Sequence, residues 1–92
     1  MSFGAAVRAR RQELGIGLVD FAARLDISAA YWSRVERDME RAPKDYLIEK
    51  AAAILGVQLD TLFVEAQRLP PDMQREISQV VTMYRRLRAT RR

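Results

Sequence analysis

Apolar residues recur at spacings of three and four along almost the whole chain, and no stretch alternates for long enough to make a strand. Glycines and prolines interrupt the pattern at Gly15, Gly17, Pro43, Gly56 and Pro70-Pro71. The spacing predicts a first helix over residues 3–14, with Phe3, Val7 and Leu14 inward and Gly15 as its C-cap. A second helix is expected over 18–25, where Leu18, Phe21, Ala22 and Leu25 form one face. Ser28 is a suitable N-cap for a third over 29–37, burying Trp32 and Val35. The fourth, over 45–55, buries Leu47, Ile48, Ala51, Ala52 and Leu55 before the Gly56 stop. A short fifth begins at Asp60 and carries Leu62 and Phe63. Pro71 then opens a last helix, over 71–88, in which Met73, Ile77, Val80, Val81, Tyr84 and Leu87 recur close to an a/d seam. The expected fold class is all-α.

The second and third helices are separated by only Asp26-Ile27-Ser28, too few residues for an antiparallel hairpin. A turn that tight sends the second helix across the first at a steep angle, which is helix-turn-helix geometry. Ala22 is small enough to allow close approach, Ile27 plugs the turn, and Trp32 with Val35 anchors the third helix from beneath. That anchoring leaves Ala29, Ala30, Ser33 and Arg34 facing outward, near the end that would enter a major groove.

Composition narrows the chemistry. The chain has 92 residues, enough for one small domain, and contains neither cysteine nor histidine. Disulfides, thiolate metal sites, the commonest general base and nearly all zinc chemistry are thereby excluded. No carboxylate pair has a catalytic partner and no glycine-rich phosphate loop is present, so the expectation is no enzyme, no cofactor and no metal. No apolar run reaches the ~18 residues of a membrane span, and Met1-Ser2-Phe3-Gly4 lacks a signal-peptide pattern. These features point to a soluble, cytoplasmic binding module.

The net charge of +4 is unevenly distributed. Residues 1–15 carry +2, residues 16–65 carry −3, and the remainder carries +5, mostly in Arg85-Arg86-Leu87-Arg88-Ala89-Thr90-Arg91-Arg92. That tail fits either a solubilising role or contact with a polyanion.

In several motifs the chain resembles the lambda-repressor-like, or Cro/Xre (Cro/C1-type), family of DNA-binding domains. Gly4-x-x-Val7-Arg8-x-x-Arg11-x-x-Leu14-Gly15-Ile16 is similar to that family's first helix. Phe21-Ala22-x-x-Leu25-x-Ile27-Ser28-x-x-Tyr31-Trp32-Ser33-Arg34-Val35-Glu36-Arg37 is similar to its helix-turn-helix core. Pro43-x-x-x-Leu47-Ile48-x-Lys50-Ala51-Ala52-x-x-Leu55-Gly56-Val57 resembles the fourth helix, and Leu59-Asp60-x-Leu62-Phe63 the fifth. The resemblance covers roughly residues 4–63. It implies a five-helix lambda-repressor-like domain over 1–67, followed over 68–92 by an amphipathic helix and basic tail for dimerisation or partner binding.

The departures from that family also carry information. Gly17 and Leu18 stand where relatives usually have a capping Ser or Thr and a Gln that touches DNA, so one backbone anchor is missing. Asp26 and Asp38 replace frequent glycines, and aspartate tolerates left-handed backbone better than most residues. Ala29 and Ala30 cannot make bidentate base contacts, although a methyl can meet a thymine methyl.

Carried over position by position, the resemblance implies a DNA-contact set of Arg10, Ser28, Ala29, Ala30, Tyr31, Ser33, Arg34, Arg37, Arg41 and Lys44. Ser33 and Arg34 are the base-contact candidates, with a phosphate contact as Arg34's alternative. Tyr31 combines packing with a phosphate contact, and Lys44 reaches backbone or groove. For Arg10, Arg37 and Arg41 a solvated-surface role competes with phosphate contact. Arg11 and Glu36 match a structural ion pair tying the first helix to the end of the third.

The C-terminal seam of Ile77, Val80, Val81, Tyr84 and Leu87 either folds back or meets a second subunit, and the homodimer is favoured because two tethered half-sites bind DNA better than one. The expected function is a sequence-specific DNA-binding transcriptional regulator, a dimeric repressor on a palindromic operator. The alternative is an antitoxin or partner-binding regulator whose C-terminal helix binds another protein.

Overall fold

The structure, a computed structural model, describes residues 2–90. Seven helices follow one another without strands among the described residues: α1 (Phe3–Glu13), α2 (Leu18–Arg24), α3 (Ala29–Glu36), α4 (Asp45–Leu55), α5 (Leu59–Glu65), α6 (Pro71–Arg75) and α7 (Ile77–Thr90). The first five enclose one core. Val7, Phe21, Leu25, Trp32, Val35, Ile48, Ala51, Leu55 and Phe63 are all buried, and α1 packs on α3, α4 and α5 while α2 lies against α3.

Two contacts fix α1 on the end of α3. Gly4 lies so close that an added Cβ would stand 2.7 Å from the Glu36 carbonyl oxygen and would also strike that of Val35. Ser2 accepts the amide of Ala5 and donates its hydroxyl to Asp38 at 2.7 Å, so one side chain caps α1 and ties it to the residue just past α3.

Each of the first five helices ends in the same device. In every case the N–H two residues past the last full turn reaches back to a carbonyl five positions earlier: Ile16 to Arg11, Ile27 to Ala22, Met39 to Arg34, Val57 to Ala52 and Arg68 to Phe63. This is the Schellman arrangement, and it demands a left-handed residue just before the returning N–H. Gly15, Asp26, Asp38, Gly56 and Gln67 fill that position with φ between 59° and 70°.

Three expectations change. Leu14, expected inward, is 42% exposed, because the helix stops at Glu13 and Leu14 becomes the cap. The fifth helix begins at Leu59, one residue before Asp60. The single helix expected over 71–88 is two, broken at Glu76, where φ is −122° and ψ 40°. The side chain of Gln74 ties α6 to the body through Asp45 and the Leu69 carbonyl, whereas α7 takes a different axis and leaves it. A compact chain of this length would have a radius of gyration of about 12 Å; the observed 15.3 Å, with extents of 47 × 25 × 24 Å, records that departure. No helix among the described residues is long and apolar enough to cross a membrane.

Candidate nucleic-acid interface

The platform under α3 is polar as well as apolar. Glu36 is 5% exposed and Arg11 8%, and the guanidinium grips the carboxylate with two parallel bonds of 2.8 Å, Nε to Oε2 and Nη2 to Oε1. Arg11 Nη1 donates to the Ile16 carbonyl, and the Trp32 indole N–H donates to Glu36 Oε2, both at 2.8 Å. Glu36 is thus satisfied on both oxygens, and no buried side-chain polar atom among the described residues lacks a partner. The Glu36 hydrogen bond holds Arg11's proton still more firmly than usual. Trp32 packs at 5.4 Å on Phe21, so α1, α2 and α3 are joined under one carboxylate.

Above that platform Ser28 caps α3, accepting the Tyr31 amide at 3.1 Å. Ala30 is exposed, Ser33 and Arg34 are half-buried, and Ala29 and Tyr31 pack partly on the core. Arg34 Nε donates to Glu40 at 3.1 Å, and Arg37 Nε to the Ser33 carbonyl at 3.3 Å. Arg41 and Lys44 are exposed in the loop between α3 and α4, with Lys44 at the N-cap of α4. Burial raises the Tyr31 phenol above its ordinary range; Glu40 and Tyr46 push the same way, while Arg34 and Arg68 oppose them. Tyr31, Arg34, Glu40, Tyr46 and Arg68 therefore share one electrostatic neighbourhood. The exposed and half-buried side chains of α3 and the following loop thus include Arg34, Arg37, Arg41 and Lys44 together with Glu40.

Arg10 does not join this group. Its Nε donates to the Leu55 carbonyl at 3.0 Å and its Nη1 to Glu13 at 3.1 Å, which makes it the cap at the far end of α4 from Lys44. On the extension, Ile77, Val81, Tyr84 and Leu87 are exposed, Leu87 by 63%, and Val80 is half-buried. Arg88 stands over the Tyr84 ring at 6.0 Å. Arg91 and Arg92 of the basic tail lie outside the described residues.

Two residues of this region were missed by reasoning from the sequence. Tyr46 is 57% exposed beside Tyr31, on the first turn of α4; a tyrosine outside the apolar stripe was the available signal. Arg68, just past α5, folds back onto the α3–α4 loop, which no local pattern foretells.

Residues 2–63 match a family described as a helix-turn-helix domain. Over 71 residues the chain is 30% identical to the HTH-type transcriptional regulator SinR of Bacillus subtilis (strain 168), an alignment covering 77% of this chain. The chain spans 64% of that relative's length. A crystal structure of SinR, described as the master regulator for biofilm formation in complex with DNA, superposes with a TM-score of 0.61 at 30% identity. That match covers 66% of this chain and 97% of the other. The SinR protein/SinI protein complex matches with a TM-score of 0.62 at 26% identity, covering 88% of this chain and 80% of the other.

Proposed function

The chain belongs to the helix-turn-helix domain family, and from that premise we propose that it is a sequence-specific DNA-binding transcriptional regulator, a dimeric repressor on a palindromic operator. In this reading it works in the cytoplasm by occupancy, without catalysis, cofactor or metal. The observation that carries it is the placement of α3: anchored from below by Trp32, Val35 and Glu36, it presents Ala30, Ser33 and Arg34 outward beside the cations of the following loop. SinR, with the same fold, has been crystallised on DNA.

In the mechanism, α3 enters the major groove with its N-terminal end first. Arg34 reaches guanine O6 and N7, and the Ala29 and Ala30 methyls meet thymine methyls. To do so Arg34 exchanges Glu40 for the base, and an exposed pair of this kind is worth only about 0–1 kcal/mol, so the exchange is cheap. Ser28, Tyr31, Arg37, Arg41 and Lys44 take phosphates, which set register without reading sequence. Arg10, committed to the end of α4, contributes at most through a phosphate reached by its exposed side. The α7 seam of Ile77, Val80, Val81, Tyr84 and Leu87 pairs with a second copy and tethers two half-sites.

Selection from random duplexes tests this reading. The expected product is a two-fold symmetric site with half-sites about one helical turn apart. Arg34→Ala then relaxes preference at one position per half-site, whereas Lys44→Ala weakens all sequences alike and lowers the salt slope by about one. Recovery of no enriched sequence at moderate salt rejects it.

A second reading has its own support, since SinR has also been solved as a complex with the SinI protein. In that reading α7 binds a different protein, and DNA binding is controlled through it.

A further inference from the structure

We infer that Arg68 is a positioning residue for DNA binding, latching the loop that presents Arg41 and Lys44; this rests on the DNA-binding reading above. The loop needs such a latch. Past the Schellman turn at Asp38 and Met39, no backbone–backbone hydrogen bond among the described residues is donated by residues 40–44, and the backbone is tied to α4 only at Lys44, whose carbonyl accepts the Leu47 and Ile48 amides. Arg34 holds Glu40 at its start and Ala42 and Pro43 pack inward, while the carbonyls of Ala42 and Pro43 are held by one guanidinium. Arg68 Nη2 donates to the Ala42 carbonyl at 2.6 Å, Nη1 donates to the Pro43 carbonyl, and Nη1 also meets Asp45 Oδ1 at 3.3 Å. The three anchored residues bracket Lys44 and directly follow Arg41.

Two features aim the latch. Gln67 is left-handed at φ 59°, and the Arg68 N–H closes the turn on the Phe63 carbonyl at 2.9 Å, which sends the side chain back along the body rather than outward. Gln74 of α6 then donates to Asp45 Oδ2 at 3.1 Å, so the carboxylate at the start of α4 is held from both sides. A planar fork with several donors can bind two carbonyls and a carboxylate together; an ammonium cannot reproduce that geometry. Asp45 offsets the charge of Arg68. Its part is to hold the loop in the conformation DNA requires, while the phosphates meet Arg41 and Lys44.

The test uses the full chain with Arg68→Met and Arg68→Lys, measured by DNA affinity at several salt concentrations and by limited trypsin cleavage after Arg41. Both variants should keep the wild-type circular dichroism and bind DNA about tenfold more weakly or worse, since re-ordering even one freed loop residue costs that much. The salt slope should stay at the wild-type value, in contrast to its fall by about one in Lys44→Ala. Cleavage after Arg41 should accelerate. Three results overturn the inference: wild-type affinity in Arg68→Met, full function in Arg68→Lys, or a slope lowered by about one in Arg68→Met, which would make Arg68 itself a phosphate contact. Wild-type protein without DNA affinity sinks the functional reading instead, and the trypsin comparison, which needs no DNA, then decides the latch: unchanged cleavage after Arg41 overturns it.

Discussion

Two side chains, Arg11 and Trp32, meet on the Glu36 carboxylate, and the charged one matters most. Removing Arg11 leaves a carboxylate that is 5% exposed with only the Trp32 indole for company. Breaking a buried pair from one side typically costs about 3–5 kcal/mol. Arg11→Met should therefore lower the melting temperature by well over 10 °C, at about 4–8 °C per kcal/mol for a domain of this size. Arg41→Ala, at an exposed loop position, should stay within about 0.5 kcal/mol of wild type. Equal melts for the two would mean that the pair contributes nothing. A resemblance to relatives suggested that Arg11 faces Glu36, but neither the indole donation from Trp32 nor the Ile16 carbonyl was legible. The first is an i,i+4 contact within α3 and the second closes the end of α1; both follow from the side-chain orientations that the buried Arg11–Glu36 pairing fixes, which the apolar spacing does not encode.

Helix by helix, the elements were well marked because the chain stops each one explicitly. Gly15 and Gly56 are standard stops, and Asp26 and Asp38 tolerate left-handed backbone through their short polar side chains. Gln67 has no such advantage, and its turn, with the Arg68 latch behind it, went unread. The steric cost of a left-handed non-glycine residue is roughly 1–2 kcal/mol, while a glycine there adds about 0.4–1 kcal/mol of unfolded-state entropy. Gln67→Gly should consequently gain up to about 1 kcal/mol, visible as a melting point raised by several degrees. A lower melting point would show that the glutamine side chain makes a stabilising contact that outweighs its backbone strain. The break between α6 and α7 was illegible for the opposite reason: the spacing from Met73 to Ile77 continues smoothly through Glu76, and it is the contacts of Gln74 with Asp45 and the Leu69 carbonyl that distinguish a docked turn from an undocked helix.

At the scale of the whole molecule, the body is self-sufficient and α7 is not. A lone helix of 14 residues is marginal in water, and its apolar face is exposed at Ile77, Val81, Tyr84 and Leu87. In the dimeric reading, Val81→Asp combined with Tyr84→Asp should give a folded monomer. Its operator affinity should fall by about 10²-fold or more as the tether between half-sites is lost. Wild-type protein that already sediments as a monomer at micromolar concentration would instead give the seam to a different protein.

The position of α1 has a consequence for how the chain is made. It is synthesised before α3, α4 and α5, on all of which it packs, and Glu65 follows Glu13 by 52 residues. At about 5–20 residues per second, roughly 3–10 s pass between the emergence of α1 and that of its last partner. Throughout that interval Phe3 and Val7 lie on a nascent helix whose cover is incomplete. The core then closes late, and a ribosome that stalls before α5 holds a chain in which the apolar faces of both α1 and α4 are still partly uncovered.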